Sequence, residues 1–140
     1  MNASPLFLPI ITLVLWSLVM LAWMAITRLP AIHKAGLPPS AGERTAELAT
    51  LMDKRIQWKA DNYNHLMEQP TLFYATALLL AMMGLGEGIN LTLAWTYVVA
   101  RVLHSIVQST SNYVPLRFSI FAISTVALLA MAINALRALL

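Results

Sequence analysis

"NYNHLMEQPTLFYATALLL", residues 62–80, joins two kinds of chain with no linker between them. Its first part gathers Asn62, Asn64, His65, Glu68 and Gln69, and Pro70 then opens an apolar run that lasts to Gly84. A membrane-crossing helix needs roughly 20 mostly apolar residues, and the segment from about Asn64 to Gly84 meets that length. Ionisable side chains in such a span cost about 2.5–3.5 kcal/mol each near the bilayer centre, so they face protein, water or a ligand. The stretch reads as a transmembrane span with the lip of a polar pocket at its entrance.

Further spans flank it. Toward the N-terminus, "PLFLPIITLVLWSLVMLAWMAIT" (5–27) carries no charge, with Pro5 and Pro9 in its first turns, where a missing N–H matters least. It lacks the basic start and small-residue cleavage site of a signal peptide, and reads as a retained span. A polar, basic loop of about residues 28–63 follows, in which Ser40 and Glu43 have the spacing of a capping box and predict a helix start. Toward the C-terminus, the glycines of "GLGEG" predict a turn, a third span covers about 89–110, "STSNYVP" makes the next turn, and a fourth covers about 116–139. With 59% hydrophobic and only 11% charged residues among 140, against about 25% charged in ordinary soluble domains, the chain is expected to be an all-α membrane protein. Its spans form a single four-transmembrane-helix up-down bundle. Trp16, Trp23, Trp58 and Trp95 read as interfacial or packing aromatics, and the eight methionines as apolar filler.

Charge sets the expected orientation. Arg28, Lys34, Arg44, Lys54, Arg55 and Lys59 all lie in the first loop, which by the positive-inside rule faces the cytoplasm. A bacterial inner membrane is the expected location of this multi-pass protein. The net charge of +3 follows from that bias; no basic stripe interleaved with aromatics marks a nucleic-acid surface. Cysteine is absent, which excludes disulfides, thiolate metal sites and a cysteine nucleophile.

Within the third span Tyr97, Arg101, His104 and Gln108 recur at helical spacing and share one face. Asn64 and Glu68 share a face of the second span, with His65 beside them. Glu68 and Arg101 are expected to pair, since an unpaired charge at that depth is costly. The surplus of polar groups over one ion pair points to a pocket for a hydrophilic ligand, against the plainer reading of a salt bridge that only fixes helix register. Arg117, at the start of the fourth span, is either a snorkelling interfacial cation or an anion clamp at the pocket mouth. His65, Glu68 and His104 offer too few ligands for a dinuclear carboxylate site, and no metal is expected.

These residues resemble the membrane-associated proteins in eicosanoid and glutathione metabolism, the MAPEG family. The resemblance spans nearly the whole chain and is carried by Asn64, Glu68, Pro70 and Phe73 in the second span, and by Arg101-x-x-His104, Gln108, Pro115 and Arg117. It implies a homotrimer with sites between protomers. It also implies glutathione as cofactor, contacted by Asn64, Glu68, Arg101, His104 and Gln108, with Arg117 as the catalytic arginine that stabilises the thiolate. The implied function is a glutathione-dependent transferase or peroxidase acting on lipophilic electrophiles. Gln108 stands where the family commonly has a tyrosine, and Phe118 and Phe121 stand where its prostaglandin synthase branch has hydroxyls. Prostaglandin synthesis is therefore not implied. The alternative is a non-catalytic trimer of the same fold that has lost thiol activation, and a carrier or channel subunit is a third reading, which no inverted repeat supports.

Overall fold

The computed structural model describes residues 3–140. Six helices follow one another: α1 (Phe7–Lys34), α2 (Thr45–Leu51), α3 (Lys54–Glu68), α4 (Pro70–Met82), α5 (Ile89–Thr110) and α6 (Val114–Leu139). Two of them, α1 and α6, are by length and composition able to cross a membrane alone. The opening stretch of sequence is divided between α3 and α4. Pro70 has no N–H to continue the ladder of α3, so the helix stops at Glu68 and restarts on the proline. The polar half lies on one piece and the apolar half on the other.

α1 buries Pro9, Leu13, Ser17 and Met20, a stripe at helical spacing. It packs on α3, α4 and α5, while α5 is held between α3 and α6. Leu66, Phe73, Ala77 and Leu80 from α3 and α4 meet Ala94, Tyr97 and Val98 of α5 and Ala127, Leu128 and Met131 of α6 in the core. A polar tie crosses this core. The Tyr97 hydroxyl donates to Gln69 Oε1 at 3.4 Å, Gln69 Nε2 donates to Thr125 Oγ1 at 3.0 Å, and the Phe73 ring stacks on Tyr97 at 4.4 Å between centroids. Gln69, at the break, joins three helices. At the other end Asn134 Nδ2 donates to Asn90 Oδ1 at 2.8 Å, and Asn90 Nδ2 donates to the Leu85 carbonyl at 2.9 Å. The outer faces of α1 and α6 are apolar, with Leu8, Ile11, Leu15, Leu18, Ile123, Val126 and Leu129 all exposed.

Two local features differ from the sequence reading. The expected capping box is not used: Glu43 N–H donates to the Ser40 carbonyl in a turn, and helix begins later, at Thr45. The capped start belongs to α3, where Asp53 Oδ1 accepts from Arg55 N–H at 2.7 Å. α3 thus starts well before the apolar run, in the basic loop. Lys59, on that early part, lies over the Trp23 ring at 5.3 Å and ties it to α1.

Candidate functional site

The residues around Arg101 decide what this end of the bundle can do. Arg101 is fully buried, and its expected direct pairing with Glu68 is not made. Its Nη2 donates to the His65 carbonyl at 3.1 Å, and its Nη1 lies 3.3 Å from His65 Nε2. A guanidinium can only donate, so His65 Nε2 is the acceptor and the ring proton sits on Nδ1. That Nδ1–H then donates to Glu68 Oε2 at 3.1 Å. Carboxylate and guanidinium are joined through an imidazole. Glu68 itself is outward, its side chain 70% exposed.

The physical reason is angular. Each helical residue turns the chain by 100°, and only the face continuing Phe73, Ala77 and Leu80 backwards points inward. That face reaches Leu66 and Asn62, with His65 at its edge and Glu68 and Asn64 outside it. Asn64 is exposed, whereas Asn62 is fully buried and donates to Ser105 Oγ at 2.7 Å. Asn64, expected as a glutathione contact, thus lies on the outer flank, and the asparagine inside the core is Asn62. The buried spacing of 62, 66, 73, 77 and 80 was the signal that would have found it.

In front of Arg101 lies a cavity of about 200 Å³ between α3, α5 and α6, lined by His65, His104, Gln108, Val114, Arg117, Phe118 and Phe121. The structure therefore brings His104, Gln108 and Arg117 together, sets Arg101 behind them, and leaves Asn64 and Glu68 on the outer flank. Phe121 covers the group: its ring is 5.5 Å from His65, 6.3 Å from His104 and 5.8 Å from the Arg101 guanidinium carbon. The two imidazoles are 4.9 Å apart. In place of a hydroxyl, the aromatic face of Phe121 lies against the guanidinium.

Arg117 is half-buried in the first turn of α6 and donates to Asn112 Oδ1. No acidic residue occupies that first turn, so the N-terminal end of the helix dipole adds to the arginine's positive potential. The balance of charge is one-sided. Arg101 is held by a carbonyl and a neutral imidazole, Arg117 by a neutral amide, and among the described residues no carboxylate lies within ion-pair distance of either. Buried atoms with no partner add to this: the Arg101 Nε donor, and the acceptors Gln108 Oε1 and Asn62 Oδ1. A cavity so furnished has the charge and the hydrogen-bonding chemistry to hold a polar anion.

A larger apolar groove of about 600 Å³, along Trp95, Val99, Leu103, Ile120 and Ile123, lies on the other face of α5 and α6 and has no ionisable lining. It has the chemistry of the bilayer.

The fold is all-helical, with two helices apolar and long enough to cross a membrane and a positively charged cavity at one end. The model of the MAPEG family matches residues 6–137, nearly the whole chain, and the protein belongs to that family. No curated protein and no solved structure matches it.

Proposed function

We propose that the protein is a glutathione-dependent transferase or peroxidase acting on lipophilic electrophiles, with the cofactor's anionic groups held at the Arg117 cavity. The observation that carries this reading is the pair of guanidiniums held by neutral groups. A buried charge with no counter-ion is costly, and a peptide with two carboxylates and an ionisable thiol meets that demand. The partnerless Gln108 carbonyl and Arg101 Nε fit a ligand that also donates and accepts. Bound there, glutathione would supply the nucleophilic thiol that the cysteine-free chain lacks, for displacement at carbon or reduction of a peroxide.

Each side chain then has a definite task. Arg117 would hold the thiol and favour its anion, as a fixed cation does for any nearby thiol. His104 and Gln108 bind the remaining polar groups. Arg101, fixed by the His65–Glu68 relay, sets the positive potential behind them. Phe118, 69% exposed at the rim, presents an apolar entrance to substrates dissolved in lipid.

The cavity is smaller than the 300–1,000 Å³ of most small-molecule sites, so part of the tripeptide rests outside it, against the flank bearing Asn64 and Glu68. Asn64, Glu68 and Thr71 are exposed on adjoining turns of α3 and α4, an unfavourable face to leave in lipid. A second copy covering it completes the site, in line with the homotrimer that the family resemblance implies. The four-pass topology and a bacterial inner membrane belong to the same proposal, in which the basic charges of the first loop support placing that loop in the cytoplasm.

The test is glutathione binding to detergent-purified protein, followed by ultraviolet difference absorption for thiolate, with Arg117→Ala alongside. A thiolate band in the wild type that disappears in Arg117→Ala, with binding retained, supports the assignment. Binding with no thiolate in either protein favours the non-catalytic reading, for which the absence of any hydroxyl from the cavity lining speaks. No binding removes the glutathione reading altogether.

A further inference from the structure

Asn112 is the one described residue other than glycine with a positive φ, at 51°. It ends α5: its N–H donates to the Val107 carbonyl at 2.7 Å, and Tyr113 then returns to an extended conformation before α6 begins. Asparagine is among the few side chains that tolerate this left-handed geometry, because its short amide can bond locally. Glycine would make the same turn without strain. The amide here does something glycine cannot, since its Oδ1 accepts from Arg117 Nη1.

We propose that Asn112 is the positioning residue of Arg117, and that its neutrality is the point: it fixes the guanidinium against the cavity without discharging it. The turn brings the amide back over the first turn of α6, five positions before the arginine it holds. A planar guanidinium gives one edge to the amide and keeps its other donors for a ligand. An aspartate would accept the same bond and would also place a negative charge on the arginine, which would then stabilise a bound anion less. Arg101 follows the same rule, its partners being a carbonyl and a neutral imidazole. Both arginines of the site keep their charge for something other than the protein.

The inference rests on the glutathione reading for its ligand but not for its geometry, and the experiment separates the two. Asn112→Gly keeps the turn and removes the tether; Asn112→Asp keeps the tether and adds the charge. With glutathione, Asn112→Asp is expected to shift the pH midpoint of thiolate formation upward, lowering the thiolate fraction about tenfold at a fixed pH below that midpoint. Asn112→Gly is expected to weaken binding about three- to tenfold. A wild-type midpoint in Asn112→Asp, or wild-type binding in Asn112→Gly, overturns the proposal. A ligand-free readout is the rotation of the Arg117 guanidinium, followed by nuclear magnetic resonance on protein labelled in its arginines. Restricted rotation in the wild type that is released in Asn112→Gly supports the tether even if no glutathione binds, in which case only the glutathione reading fails. Equal mobility in both proteins sinks the tether, whatever binds.

Discussion

At the scale of the residue, one angular step separates what the sequence announces from what the structure does. The stripe of Tyr97, Arg101, His104 and Gln108 was legible because a run of inward positions on one long helix keeps its phase; all four are buried. The link from Arg101 to Glu68 was legible only in part, since the phase of α3 puts His65 between them. The order of importance changes accordingly. His65→Leu leaves a buried guanidinium with a single backbone acceptor and is expected to cost about 1–3 kcal/mol. Glu68→Ala removes an exposed partner and is expected to cost about 0–1 kcal/mol. Unfolding midpoints in mixed detergent would check this, and equal losses in the two variants would mean that the carboxylate, not the imidazole, holds Arg101. The tether from Asn112 was not legible at all, because a left-handed asparagine leaves no periodic trace in sequence.

At the scale of the element, breaks matter as much as helices. The cut at Pro70 was visible as a proline after a polar cluster, yet α3 begins at Lys54, well before the span expected from about Asn64, because Asp53 caps it. Hydropathy locates membrane-compatible segments and says little about helix that continues outside them. The turn before α5 depends on Gly88, whose φ of 58° and ψ of −127° lie where a β-carbon is strongly disfavoured. Gly88→Ala is expected to destabilise the protein by about 1–3 kcal/mol, with no recovery in Gly88→Asn, which suits a different left-handed region. Gly86 differs in kind: a β-carbon there would collide with Ser4 Oγ, and a hydroxyl can swing aside. Gly86→Ala should therefore be the milder change, and comparison of the two midpoints separates backbone strain from crowding.

At the scale of the whole molecule, the outward Asn64, Glu68, Thr71 and Ala75 mark where a second copy would lie. Because the chain has no cysteine, a single one introduced at Ala75 is a clean reporter. Ala75→Cys in native membranes is expected to give cross-linked dimers with a short bis-maleimide, while Leu129→Cys, on the apolar face of α6, should give few. Equal yields would mean random collision and leave the α3–α4 flank facing lipid. Sedimentation in detergent would then count the copies. The arginines held by neutral partners carry a further consequence. Such charges draw anions from solution, so a ligand entering the cavity competes with the anions of the buffer. Its apparent affinity is then expected to fall as the concentration of a competing small anion is raised.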